Sequence, residues 1–176
     1  MQSLETQYDP GVALETLDKS LLLNALVARL AEEAEGMARR ARDIAASATH
    51  DEARPENDKD TRAIEESYLA RGQAERVAQA QTTVQLLRTL RCQDFSQDRP
   101  IAATATVLIE DEEGNEKILF LAPAAGGTKV ETQGRIVQVI TPASPLGRKL
   151  LGQTVDDEFE LHTKGAKRCW TIVEVI

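Results

Sequence analysis

Between His50 and Asp60 the chain places five carboxylates, Asp51, Glu52, Glu56, Asp58 and Asp60, against two cations, Arg54 and Lys59. Like charges packed this closely raise one another's energy unless solvent or a cation relieves them. Carboxylate oxygens are the ligands that hard divalent cations prefer, and Mg²⁺ commonly takes only one or two from a protein. The segment can therefore lend carboxylates to a metal held by another molecule, or simply solvate an exposed turn. Other chemistry is thinly represented. The two histidines, His50 and His162, form no metal-spaced cluster with Cys92 and Cys169. Ser144 lies in no nucleophile-elbow motif and reads better as a helix cap. Gly126-Gly127 is too short for a phosphate loop, and no dinucleotide or P-loop fingerprint occurs. A self-contained active site, an intrinsic cofactor and a stably bound metal are all unexpected.

The elements that must carry these residues divide the chain in two. Its 176 residues leave room for one domain or two small ones. The first 98 residues hold 16 of the 24 alanines and only 3 of the 10 glycines. Alanine is the best helix former and glycine and proline the worst, so this part reads as helical. Pro55 separates two proline-free stretches, 11–54 and 56–99. In the first, Leu23, Val27, Leu30, Ala34, Met37, Ala41, Ile44 and Ala48 repeat with heptad spacing, one apolar stripe for a partner helix. A weaker stripe follows in the second: Ala70, Ala74, Val77, Gln81, Val84 and Leu87. The segment between them is short, which predicts an antiparallel coiled-coil hairpin over 1–98 with its tip at about 50–60. Thirty helical residues extend about 45 Å. Pro55 biases Arg54 away from helical dihedrals, which sets the turn there. Asn57, Asp58 or Asp60 can cap the returning helix.

Residues 99–176 hold 7 of the glycines, 4 of the 6 prolines and most of the β-branched runs. Strands are predicted at 101–110, 116–122, 135–141, 157–162 and 168–176, the first two joined by the turn Asp111-Glu112-Glu113-Gly114-Asn115. In the last strand simple alternation groups Val173 with Val175 and sets Ile172 with Glu174 on the other face. One short helix is predicted at 144–152, with Ser144 as cap, Pro145 at its first position and Gly152 as its stop. Five strands and one helix make a small α+β domain with a twisted, mostly antiparallel sheet.

Composition excludes several classes. The chain carries 29 acidic and 21 basic side chains, a formal charge of -8, and only 6 aromatic residues. That balance disfavours direct duplex binding, which needs a surplus of Lys and Arg. No apolar run approaches the roughly 20 residues of a membrane helix. The first residues lack the basic and apolar regions of a secretory signal. Two cysteines are no disulfide framework, so a cytoplasmic setting is expected. The charge is unevenly placed: residues 1–98 carry 18 acids and 12 bases, residues 99–176 carry 11 and 9.

The segment 140–161, Ile-Thr-Pro-Ala-Ser-Pro-Leu-Gly-Arg-Lys-Leu-Leu-Gly onward, closed by 170–176, resembles the C-terminal domain of GreA/GreB-type transcription elongation factors. Ser144-Pro145-Leu146-Gly147, Leu150-Leu151-Gly152 and the closing Ile172–Ile176 match the family's pattern, while its Gly-Asp turn is replaced by Asp156-Asp157. The resemblance implies a long coiled-coil hairpin followed by an FKBP-like α+β domain. It implies RNA polymerase as partner, with the globular domain docked at the rim of the secondary channel through the region of Ser144, Pro145, Leu146 and Gly147. It implies a tip that brings carboxylates to the catalytic Mg²⁺ of the polymerase, which then cleaves backtracked RNA by two-metal chemistry. The factor would be an accessory of the polymerase and not itself an enzyme. It would be monomeric and would meet nucleic acid only inside the complex.

At the tip, Glu56-Asn57 matches the family's central Glu-Asn, whereas Ala53 stands where an aspartate is expected and Lys59-Asp60 replaces a Glu-Tyr pair. Glu56 and Asn57 are therefore the motif residues, with Glu52 and Asp58 as neighbouring substitutes. Three functions compete: a cleavage-stimulating elongation factor, a secondary-channel regulator without cleavage activity, and a coiled-coil scaffold unrelated to polymerase. Prolyl isomerisation ranks behind all three, because residues 99–176 offer only Phe120, Phe159 and Trp170 to line a pocket.

Overall fold

A computed structural model of the chain describes residues 14–51, 59–96, 98–163 and 166–176. Two compact units result. One is Leu26–Arg88; the other joins the chain up to Ala25 with Thr89–Ile176.

The helical hairpin consists of α1 (Lys19–Asp51) and α2 (Lys59–Arg88). Asp18 starts α1: its Oδ1 accepts from the Ser20 backbone N–H at 2.7 Å and from the Ser20 hydroxyl at 2.6 Å. These bonds satisfy donors that the first turn leaves open and lower the Asp18 pKa, the Ser20 hydroxyl contributing most. Of the candidate caps for α2, Asn57 and Asp58 lie outside the described residues, and Asp60 falls inside the first turn.

The buried seam departs from the predicted one. Leu26, Ala34, Val84 and Leu87 are buried, but Met37 and Ile44 are 39% and 45% exposed. In α2, Ala70, Ala74 and Gln81 are exposed, and the more protected line runs Gln73, Val77, Ala80, Val84, Leu87. The spacing is still heptad, but the phase has turned by one residue at Ala80. Alanines on several faces of α2 make the stripe ambiguous in sequence, and the chosen phase keeps the Gln81 amide in water. Exposed i,i+4 pairs, Arg29–Glu33 at 3.1 Å and Arg71–Glu75 at 3.1 Å, add only tenths of a kcal/mol each.

The second unit is an α+β domain of six strands. They are β1 (Thr106–Asp111), β2 (Glu116–Leu121), β3 (Lys129–Thr132), β4 (Arg135–Ile140), β5 (Glu158–Thr163) and β6 (Ala166–Val175), with α3 (Pro145–Leu150) between β4 and β5. The sheet order is β3-β4-β2-β1-β6-β5. Every neighbouring pair is antiparallel except β2–β4. Strand β3 was not foreseen: it is four residues long and buries only Val130. It pairs with β4 across Gln133-Gly134, both with positive φ, at 51° and 72°, as a two-residue hairpin turn requires. The first predicted strand begins late, because Ala102–Ala105 forms a turn closed by Ala105 N–H to Ala102 C=O at 3.2 Å.

One face of the sheet carries the main core: Ile101, Val107, Ile109, Leu119, Leu121, Ile140, Leu150, Phe159, Trp170, Ile172 and Val175. The last pair corrects the predicted alternation. Leu108 pairs with Glu174 and Ile109 with Ile172, so Val173 is an extra residue on β6. The bulge shifts the phase by one, bringing Ile172 and Val175 to one face and leaving Val173 39% exposed. On the opposite face Leu108, Ile118, Phe120, Val137 and Val139 are buried. The segment before α1 is tied to this unit: Leu14 N–H donates to Glu174 Oε2 at 2.6 Å, Asp18 N–H to Gln133 Oε1 at 2.9 Å, and Arg135 Nη2 to Thr16 Oγ1 at 2.7 Å.

Candidate functional site

The tip residues Glu52, Glu56, Asn57 and Asp58 lie outside the described residues. Among the described residues no group of three or more His, Cys, Asp or Glu side chains is placed to hold a metal ion. No described helix is long and apolar enough to cross a membrane.

The motif Ser144-Pro145-Leu146-Gly147 is described in full, and each residue has a local reason. Ser144 caps α3: its Oγ accepts from Gly147 N–H at 3.0 Å and donates to Thr141 C=O at 2.7 Å. Pro145 opens the helix, where no N–H is required. Leu146 packs on the main core. Gly147 lies against the backbone of Thr141, so close that a Cβ there would stand 2.0 Å from the Thr141 carbonyl oxygen. Gly152, with φ of 82°, follows the helix end as predicted.

Ser144, Pro145 and Leu146 line a cleft of about 420 Å³. Ile109, Lys117, Gln138, Ile140, Leu161 and Gly126-Gly127 also line it. No aromatic ring is among these lining residues. Phe120, Phe159 and Trp170 are all buried in the domain's interior, so the aromatic pocket of a prolyl isomerase is not built from them.

Lys117 is the cation of this cleft, and sequence reasoning passed over it. Its Nζ lies 4.1 Å from the centroid of the buried Trp170 ring. Partial desolvation lowers its pKa, opposed by the Asp111 carboxylate and reinforced by Arg168 and Lys129. Asp111 is committed elsewhere. It accepts from the Glu113 and Asn115 backbone N–H groups at 3.0 and 2.9 Å, from the Asn115 amide at 2.9 Å, and from Arg168 Nη1 at 2.8 Å. Burial pushes the Asp111 carboxyl up, but the bonds from Asn115, Arg168 and Glu113 outweigh it and bring the pKa down to about 2. The signal in sequence was the Asp-x-x-Gly-Asn turn itself, which predicts a hairpin but not which strand supplies the arginine.

A second cluster joins the two chain segments of this unit. Phe95 is flanked by Lys19, 4.9 Å from its centroid, and by Arg99, at 4.6 Å. Lys19 Nζ also donates to Gln93 C=O at 2.6 Å.

Fold and cleft together define a class: a helical hairpin joined to a mixed six-stranded α+β domain whose short helix is serine-capped and glycine-packed. Residues 96–176 match the family described as transcription elongation factor, GreA/GreB, C-terminal domain. The match assigns residues 96–176 to the GreA/GreB C-terminal domain family. Among solved structures it is similar to Gfh1 of Thermus aquaticus, with 19% identity over 84% of this chain and 92% of that one and a TM-score of 0.38. Gfh1 of Thermus thermophilus, the GreA factor homolog 1, gives 19% identity, 85% and 94% coverage and a TM-score of 0.38. The transcription elongation factor GreA/GreB from Nitrosomonas europaea gives 26% identity, 55% and 77% coverage and a TM-score of 0.34. The assignment of residues 96–176 rests on the family match and not on these likenesses. None of the curated proteins compared with the sequence matches it.

Proposed function

We propose that this protein is an accessory factor of RNA polymerase that docks through its C-terminal domain at the secondary channel. Its hairpin then carries the acidic segment around Glu56 toward the catalytic Mg²⁺ and stimulates cleavage of backtracked RNA. The observation that carries this reading is the family match over residues 96–176, preceded by two long helices with five carboxylates among residues 50–60 where the first gives way to the second. Glu56, with Glu52 or Asp58, would help hold a second cation and polarise the attacking water. Asn57 completes the motif. Chemistry of this kind belongs to the polymerase active site, so the factor needs neither a cofactor nor a metal of its own, and acts as a monomer.

A second reading is favoured by one specific feature, the composition of the tip. Ala53 occupies the place of the family's aspartate, Pro55 precedes the motif glutamate, and Lys59 introduces a cation. On this reading the protein occupies the same channel without promoting cleavage, as an inhibitor or a modulator of initiation.

One assay separates the two. A stalled, backtracked polymerase complex is mixed with wild-type protein or Glu56→Ala, and the 3′ ends of the transcripts are followed over a range of Mg²⁺ concentrations. Shortening by the wild type that Glu56→Ala abolishes supports the cleavage factor. Binding with altered initiation and no shortening supports the modulator. Absence of polymerase binding removes both.

A further inference from the structure

The cleft beside α3 is lined by aliphatic residues and one cation, Lys117, and the sheet register sets the strand residues beside one another. Lys117 lies opposite Ile109 on β1, while the parallel pairing of Ile118 with Val137 sets Ile136 beside it on β4. Ile136 shares its face with Gln138 and Ile140 by strand alternation, and it is 51% exposed. The uncovered part of this face therefore carries the exposed Ile136 and the half-buried Leu146 and Leu161 around one exposed lysine, with Ile140 buried beneath. Among the described residues Lys117 forms no ion pair; its contact is the face of Trp170. Asp111, whose carboxylate acts on Lys117 electrostatically, is held by Arg168 at 2.8 Å. In a chain of formal charge -8, a cation resting on an aromatic ring in a cleft lined by aliphatic side chains is a place where a negative group with an apolar flank gains on both counts.

We infer that this cleft receives a segment of the polymerase that presents a carboxylate between aliphatic side chains, with Lys117 as the residue that selects it. The inference rests on the polymerase reading above and adds the chemistry of the contact. The aliphatic side chains cover Ile136, Leu146 and Leu161, and the carboxylate meets the Lys117 ammonium over Trp170. A neutral segment would fill the same space but leave the cation unmatched. An acidic one with no apolar flank would pair with Lys117 and leave Ile136 in water.

Binding of the labelled full-length protein to core RNA polymerase, measured over a range of salt concentrations, tests this. Reversing the charge with Lys117→Glu should weaken binding at least about tenfold, and Lys117→Arg should stay within about threefold of wild type. Lys117→Met, which keeps the stem over Trp170, should fall between them and flatten the salt dependence. Thermal melts show whether each variant folds; if Lys117→Glu does not, the comparison of Lys117→Arg with Lys117→Met decides. Unchanged affinity in Lys117→Glu, or equal salt dependence in Lys117→Met and wild type, overturns the inference while leaving the polymerase reading in place. A wild-type protein that fails to bind polymerase overturns both.

Discussion

Gly147 and Thr141 are in backbone contact: a Cβ on Gly147 would meet the Thr141 carbonyl carbon at 2.9 Å and its oxygen at 2.0 Å. The same carbonyl accepts from the Ser144 N–H at 2.9 Å and from the Ser144 hydroxyl at 2.7 Å. One peptide group thus fixes both the start of α3 and its distance from β4.

Replacement of Gly147 by alanine should therefore lower the stability of the domain by about 3 kcal/mol or more, because the obstacle is backbone and cannot rotate away. A chemical denaturation midpoint measured by Trp170 fluorescence is the check. Trp170 is the single tryptophan in the chain and lies in the same buried core as Leu150 of α3, so its signal reports this unit. A midpoint within error of wild type would contradict the packing described.

Ser144→Ala should be milder. It removes the cap to Gly147 N–H and the bond to Thr141, a loss of about 1 kcal/mol in a typical helix cap. The same denaturation experiment should rank it between wild type and Gly147→Ala, and a Ser144→Thr variant should recover most of the loss.

The Asp111 turn predicts a pH dependence. Its carboxyl has a pKa of about 2 in the folded domain against an ordinary 3.8. The unfolded chain therefore binds the proton first, and stability falls as pH drops through the interval from about 4 to 2. Above that interval the contribution is fully present. Asp111→Asn should be less stable than wild type at neutral pH and should lose less on acidification, as thermal melts across the interval would record. Parallel acid profiles for the two proteins would exclude Asp111 as a source of the dependence.

In the hairpin, burial separates residues that the heptad treats alike. Leu87 is fully buried, so Leu87→Ala should cost about 2–5 kcal/mol. Met37 is 39% exposed and sits in a helix, where alanine is the better former, so Met37→Ala should change stability by less than about 1 kcal/mol. Helical circular dichroism during thermal unfolding distinguishes the two. Equal losses would restore Met37 to the seam.

Local rules were enough for much of this. Alanine content and heptad spacing predicted the two long helices, and Ser-Pro-Leu-Gly followed by Leu-Leu-Gly predicted α3 with its cap and its stop. Asp-x-x-Gly-Asn predicted the β1–β2 hairpin. Each of these depends on residues within a few positions of one another, where propensity and capping act directly. The acidic segment at 50–60 is likewise plain in the sequence, as is the family pattern of its C-terminal domain.

Other features required partners distant in the chain. Strand β3 is too short and polar to announce itself and exists because β4 offers it a ladder. The extra residue at Val173 reverses the strand's alternation only because Leu108 and Ile109 set the register opposite it. The seam of α2 chose Ala80 over Gln81 when helix packing made one phase cheaper than the other. Lys117 became notable when β1, β4 and β6 put Ile109, Ile136 and Trp170 around it. Sequence alone determined where the two long helices, the cap and stop of α3 and the β1–β2 turn lie, since those energies are local. Register, phase and the company each side chain keeps were decided by tertiary structure, because burial and cross-strand pairing are settled between segments and not within them.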